Sequence, residues 1–509
     1  MATFIVRRLI ASIFIFLAAT YLMYILTALS GDPLEDLRTS TAPNKQQLIE
    51  ARTALLHLDV PPYLRYFIWI AGVGKCFIGQ CDLGVTVQNQ PVTVPLAQAA
   101  GSTLQLVTIA SVIAIILGLV VGITTALRQY SGYDYGVTFL SFLFFSLPIF
   151  WVAVLLKQFV AIGFNDFLSD PQIAPWIIPI LAVISGLIWM SILPGKGRRK
   201  LITFAAAALA SAAVIIYMDL SDWFSYPHIG IVGVALTLVG AAFGVTTIST
   251  GLKNRRALYA SLVVAGIGVA AWYPFIYFTT GLPFWGWIGI GVATVLVALA
   301  VGWFMGGDDR RPVARTAAIV GFVAFSVLSL DRFMQVWDDY ANSGRIKGRP
   351  IATIGSGTPG LEGSLWVHGV DLFTHLLLPT LALILISFAT YTRYSRASLL
   401  EVMNQDYIRT ARAKGLTERT VVVRHAFRNA LIPIATIVAF DIGGIIGGAV
   451  ITERVFGWTG MGALFQNGLD HVDPNPVMAF FLVTGSLAIL FNLIADLVYA
   501  GLDPRIRVS

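Results

Sequence analysis

Charge is what this chain has least of: Asp, Glu, Lys and Arg make up 12% of its 509 residues, against 57% hydrophobic types. Cysteine is nearly absent, and Cys76 and Cys81 alone supply too few ligands for a metal site. No GxxxxGK[ST] phosphate loop occurs. Gly195-Lys196 lacks both the leading glycine spacing and the following Ser or Thr, so nucleotide hydrolysis is not expected here. His57, His228, His368, His375, His425 and His471 show no metal-ligand spacing and read as loop or capping residues, and the methionines form no cluster. These absences exclude the usual enzyme classes and point to a chain without a catalytic constellation or cofactor of its own.

Long apolar runs are what it has instead, at a mean hydropathy of +0.78. Runs of about 20 residues, at 1.5 Å per residue, are long enough to cross roughly 30 Å of hydrocarbon as helices. They fall near residues 9–29, 101–127, 135–159, 175–193, 201–218, 229–249, 257–278, 284–305, 313–330, 373–394, 431–452 and 477–500, about twelve spans of an all-α polytopic membrane protein. The first follows Arg7 and Arg8 and is longer than a signal-peptide core, so it reads as a retained helix that starts in the cytoplasm. Basic loops alternate with acidic or uncharged ones. Lys196, Arg198, Arg199 and Lys200, then Lys253, Arg255 and Arg256, then Arg310, Arg311 and Arg315 mark cytoplasmic turns, while Asp219 and Asp222 sit between them. With an even number of crossings both termini are cytoplasmic. The net charge of +7 reflects this same bias and calls for no nucleic-acid partner.

One charged stretch stands apart: "DYIRTARAKGLTERTVVVRHAFRNALIP", residues 406–433. Burying its Arg409, Arg412, Lys414, Arg419, Arg424 and Arg428 in lipid would cost roughly 15 to 20 kcal/mol, so it cannot span. Asn404 is placed to cap a helix over residues 405–414, Gly415 suits the position just past its end, and Thr417 can cap a second helix. A solvated basic loop that only orients the chain needs no such helical hairpin, nor the small Ala411, Ala413 and Gly415 together, which permit close approach of another surface.

At these residues the chain resembles the permease subunits of bacterial ABC importers of the dipeptide/oligopeptide type. "RRLI" from Arg7, "SGDPL" from Ser30, "LDVPPYLRYFIWI" from Leu58, "CDLGVT" from Cys81, "PVTVPL" from Pro91 and "STLQLVTIA" from Ser102 are similar to that family's pattern. So are "LPTLAL" from Leu378, "TRYSRASLLEV" from Thr392, "GGAVITERVFGWTGMG" from Gly447 and "DLVYAGLDPRIR" from Asp496. The resemblance implies a type I permease core of six transmembrane helices, here with about six more inserted. It divides the chain into an N-terminal helix (1–30), an extracytoplasmic segment (31–98), core helices 2–3 (99–164), an inserted block with an extracytoplasmic loop (165–365), and core helices 4–6 (366–509) with a cytoplasmic coupling loop at 400–430. Asp406, Tyr407, Arg409, Ala411, Arg412, Ala413, Lys414 and Gly415 would then couple to a cytoplasmic ATPase. The implied partners are a second homologous permease subunit, two ATPase subunits that hold ATP and magnesium, an extracytoplasmic substrate-binding protein and membrane lipid. Two features depart from the pattern: in the charged stretch Arg409 replaces an acidic residue and His425-Ala426-Phe427-Arg428 stands for Ile-x-Leu-Pro, and Thr459 stands where Pro is common, which alters turn stiffness. A self-contained proton- or sodium-coupled carrier is the alternative, as is a relative of the same family for nickel, glutathione-like peptides or haem.

Asp441, mid-span, is a candidate for a polar translocation path, weighed against a packing role in which a neighbouring helix holds it. Lys157 and Arg393 lie near span ends and can snorkel, and Asp496 is expected to bond within the bundle. Glycine pairs at Gly443-Gly444 and Gly447-Gly448 read as helix-packing positions. Cys76 and Cys81 fall in the extracytoplasmic segment, where oxidation is permitted, and a turn at Gly79 would let them form a disulfide.

Overall fold

The computed structural model describes residues 2–193 and 195–502, with side chains at 2–5, 419, 436, 439, 440, 442–448 and 495–502 left undescribed. Asp496 and the two glycine pairs therefore lie outside the described side chains. The helices in chain order are α1 (Ala2–Leu29), α2 (Glu35–Thr39), α3 (Lys45–Leu55), α4 (Pro62–Lys75), α5 (Thr93–Leu127), α6 (Gly132–Ser146), α7 (Ile149–Leu155) and α8 (Gly163–Ser169). Next come α9 (Ile177–Ile192), α10 (Arg198–Leu220), α11 (Gly230–Ser249), α12 (Arg255–Ala270), α13 (Trp272–Phe278), α14 (Phe284–Met305), α15 (Arg310–Gln335) and α16 (Trp337–Ala341). The last are α17 (Leu365–Met403), α18 (Asp406–Ala413), α19 (Glu418–Thr420), α20 (Phe427–Phe456), α21 (Met461–Asp470) and α22 (Pro474–Leu502).

The chain is helical, as its composition requires, and nine helices among the described residues are long and apolar enough to cross a membrane, ten if a bent pair counts as one. That is fewer than the twelve expected, and the differences have local causes. The run at 135–159 is broken at Pro148, which has no N–H to continue α6; α6 ends at Ser146, and the stretch long enough to cross is Ile149–Ser169. Helix α9 has 16 residues, about 24 Å, short of the hydrocarbon thickness. Helices α12 and α13 bend by 45° where Pro274 faces the carbonyl of Ala270, four residues back. Helix α20 covers the expected span at 431–452, and much of its surface lies outside the described side chains.

Two compact units are present, the first comprising 1–158, 353–356 and 376–509, the second 159–352 and 357–375. In the first, α5 lies tight against α17: a Cβ at Gly118 would collide with Tyr391 and one at Gly122 with Ser395, whose hydroxyl donates to the Gly118 carbonyl at 3.0 Å. Buried Glu453 closes the corner after α20. It accepts from Thr103 Oγ1 and from the Gly462 N–H, both at 2.6 Å, at the N-terminal end of α21, where a carboxylate meets unpaired backbone donors. Thr459 hydrogen-bonds Ser356 through its hydroxyl, a bond that proline there could not make.

The second unit has its own core among α11, α12, α14 and α15, with Trp366 fully buried. Asp331 organises it. This buried carboxylate accepts from the Ile229 and Gly230 N–H groups at the start of α11, from Trp272 Nε1 just past the bend, and from Gln335. Four donors offset the cost of burying its charge. His375 is also buried, inside α17 rather than in a loop or cap, with Nδ1 2.8 Å from the Asp371 carbonyl.

Candidate coupling site

Helix α17 ends at Met403, and the chain reverses through Asn404 and Gln405 into α18. Gln405, extended at ψ 150°, is the residue before the helix; Asn404 is not the cap, since its amide donates to the Leu400 carbonyl instead. Gly415 follows with φ +75°, the left-handed turn that ends a helix at little cost only in glycine. Thr417 then caps α19 by accepting from the Thr420 N–H. A π-helical stretch, Val421–Ala426, leads directly into α20.

The eight-residue α18 has two faces. Ile408, fully buried, and Ala411 point inward, into a cluster with Ala126 from α5, Leu399 from α17, and Val421, Ala426 and Ala430 from the return limb. Asp406, Tyr407, Arg409, Arg412, Ala413, Lys414 and Gly415 are exposed. This corrects one expectation. Ala411 does not share an outward small face with Ala413 and Gly415, because at helical spacing 408 and 411 share a side and Ile408 takes that side into the apolar cluster. The small residue there fits the close packing against α17.

Polar contacts tie the hairpin together. Arg412 forks onto Glu418 at 2.7 and 3.2 Å and holds that carboxyl below its usual range. Asn429 donates to the Tyr407 hydroxyl at 3.0 Å, and Ser398 of α17 donates to the Ala430 carbonyl at 2.9 Å. Arg409 and Lys414 are turned to solvent, Arg409 with a loose 3.5 Å contact to Asp406. A cleft of about 620 Å³ at the hairpin is lined by Leu399, Met403, Arg412, Glu418 and Val423.

One turn further up α17, Arg396 grips buried Asp134 with two bonds, 2.8 and 3.0 Å, a bidentate pair that joins the α5–α6 turn to α17. Burial alone would raise the Asp134 carboxyl, but the bonds from Arg396 and from the Tyr130 N–H hold it below the usual range. Sequence reading passed over this pair, 262 residues apart; Ser131, three residues before Asp134, marks only the cap of α6 and not the partner.

The remaining site candidates lie elsewhere. Asp441 on α20 faces Tyr391 of α17, whose buried hydroxyl makes no hydrogen bond of good geometry among the described residues. Arg393 does not snorkel freely; its guanidinium stacks 3.9 Å from the centre of the Phe145 ring. Lys157 reaches the Val455 carbonyl at 3.5 Å. Cys76 and Cys81 are joined in a disulfide, with Gly79 between them at φ +78°. No group of three His, Cys, Asp or Glu fit to hold a metal occurs among the described residues.

The family model for the inner membrane component of binding-protein-dependent transport systems matches residues 114–508. The chain belongs to this family. It is therefore a multi-pass inner-membrane permease component. It is 26% identical over 509 residues, the full length of both chains, to the oligopeptide transport system permease protein OppB of Mycobacterium tuberculosis. It is 45% identical over 137 residues to the oligopeptide permease AppB of Bacillus subtilis, and 41% identical over 138 residues to the dipeptide permease DppB of Escherichia coli. Those 137 residues are 27% of this permease but 43% of AppB, and the 138 are 27% of it but 41% of DppB, so both relatives are much shorter chains.

Proposed function

We propose that this permease forms, with a second homologous permease subunit, the path by which dipeptides or oligopeptides enter the cell, driven by ATP hydrolysis on two separate cytoplasmic ATPase subunits that bind ATP and magnesium. The observation that carries the reading is α18. It is a short helix anchored by Ile408 to the ends of α5, α17 and α20, with Tyr407, Arg409, Ala413, Lys414 and Gly415 free to meet a partner. A helix so anchored passes displacement into the membrane helices, where a loose loop would absorb it. Peptide as the cargo is drawn from the names of the relatives, and an extracytoplasmic binding protein delivers it. Both termini and the hairpin lie in the cytoplasm, and residues 31–98 lie outside. The charge of the loops supports this orientation.

Residues 165–365 are an insertion in the sequence of the shared core. The greater length of this chain relative to AppB and DppB, and the separate core of the second unit, support that division. Asp441 keeps its place as a path candidate, and its position against Tyr391 favours a packing role at least equally. The deciding experiment is purification of the membrane complex with labelled ATPase subunits, followed by peptide uptake in vesicles. An ATPase that co-purifies and peptide uptake that depends on ATP bear the proposal out. Uptake driven by a proton or sodium gradient, with no ATPase attached, overturns it.

A further inference from the structure

Helix α4 is apolar on both sides and too short to cross a bilayer. Its 14 residues extend about 21 Å, against roughly 30 Å of hydrocarbon. From Tyr66 to Gly74 it has no charged side chain; Arg65 at one end folds back onto the Val60 carbonyl, and Lys75 closes the other. One face, Tyr66, Trp69 and Gly72, is buried. The other face, Tyr63, Leu64, Phe67 and Ile68, is exposed, and the loop beyond it holds Phe77 at 93% and Ile78 at 71% exposure. In water such a surface would be a liability.

Its depth says what covers it. The Tyr66 hydroxyl bonds Thr20 Oγ1 at 2.9 Å and donates to the Leu17 carbonyl at 3.3 Å, and its ring meets Tyr21 and Tyr24 edge-on. All four partners lie inside the span Val6–Leu29 of α1, not beyond its end. A phenol reaches about one helical turn from its own backbone, so the body of α4 lies beside the last two turns of that span. There Leu22, Leu26 and Leu29 of α1 are themselves exposed, and for a membrane span that means facing lipid.

We infer that α4 lies in the bilayer leaflet at the Leu29 end of α1, its free face against lipid chains, with Phe77 and Ile78 set into the headgroup boundary as an anchor. The Cys76–Cys81 bridge closes the loop that carries them, and Gly79 turns it. Lys75 stands where a lipid phosphate would meet it. On this account residues 31–98 are not wholly aqueous: the polar helices α2 and α3 are outside the membrane, while α4 is a foot planted in it.

The test places nitroxide amino acids singly at Phe67 and Ile78 in the full complex in lipid nanodiscs, with Leu26 as the lipid-facing reference and exposed Asn44 as the aqueous one. Collisions with oxygen and with a soluble nickel chelate are then measured. The expected result is that Phe67 loses nickel collisions and keeps oxygen collisions, as Leu26 does, that Ile78 falls between Leu26 and Asn44 in nickel access, and that Asn44 keeps both. Nickel access at Phe67 equal to that at Asn44 overturns the inference in favour of water. Loss of both probes at Phe67 and Ile78 overturns it in favour of a protein partner that covers the face.

Discussion

Replacing Ile408 by Ala tests the seating of α18 without touching its outward face. Eight residues are too few to hold a helix in water alone, so contacts must hold it. The Arg412–Glu418 pair is largely exposed and is worth at most about 1 kcal/mol, and the Asn429–Tyr407 bond about as much. Ile408 is fully buried against Leu399, Val421 and Ala426, and its truncation should cost about 2 to 5 kcal/mol, more than both polar contacts together. Membrane insertion should be normal, since the basic residues that orient the loop remain. Peptide uptake should fall while ATPase subunits still bind, because the outward face is intact but no longer fixed to the membrane helices. Ala413→Trp is the complement: on an exposed site it should leave the stability of this chain within about 0.5 kcal/mol and weaken association with the ATPase. Insertion, co-purification and uptake are measured together in vesicles. If Ile408→Ala transports as the parent does, seating is not required for coupling; if Ala413→Trp also assembles and transports normally, α18 is not the docking helix.

Ala411→Trp should behave as a packing mutation, destabilising the hairpin by about 1 to 3 kcal/mol or more through overpacking, seen as increased proteolysis at residues 404–420 even without ATPase present. Asp134→Asn should lower the melting temperature of the purified permease, at a cost of about 3 kcal/mol or less because water reaches Arg396. The Asp134 carboxyl is depressed in the folded state, so its stabilisation is present above the unfolded value and is lost as pH falls through the folded one. The gap between parent and variant should therefore close in acid. Burial pushes Asp473, which accepts from the Val87 N–H, up to about 6; the folded state then holds this proton more tightly, so the parent should gain stability relative to Asp473→Asn as pH falls from about 6 toward 4. Replacing both Cys76 and Cys81 by Ser opens so short a loop that it should cost at most about 2 kcal/mol and leave insertion unchanged; full thiol labelling of unreduced, denatured parent would show that no bridge forms in the membrane.

Composition and run length were enough to read the helical class and most of the spans, because a hydrocarbon solvent leaves a chain of this hydropathy few other structures. The hairpin after Met403 was legible for a different reason: Gly415 and Thr417 are local signals, and both act within a few residues of themselves. What the sequence hid was direction and distance. Whether Ala411 faces in or out depends on which side of α18 meets α17, and Ile408, the apolar residue one turn earlier, was the available clue. The break at Pro148 was written plainly in the "SLPIF" run but yielded to the hydropathy of its neighbours. No local pattern pairs Asp134 with Arg396 or gathers four donors onto Asp331, since those partners meet only through the fold.

The last eight residues of α17 bear on how a push at α18 would travel. Arg396 holds the α5–α6 turn through Asp134, Ser398 holds the start of α20 through the Ala430 carbonyl, and Leu399 receives Ile408 from α18 itself. Three separate parts of the first unit are thus fastened to about one turn of one helix, by an ion pair, a hydrogen bond and an apolar contact. A displacement of α18 that keeps Ile408 buried must move that end of α17, and with it both neighbours, or else break a bidentate pair in which Asp134 is buried. Breaking the pair costs more than tilting packed helices by a few degrees, so the stiff route is the favoured one. The sequence places the charge for this at Arg396, inside the "TRYSRASLLEV" run, where an unpaired arginine near the membrane would be costly. On the proposed function, that arginine is present because the cytoplasmic end of the permease must move as one piece.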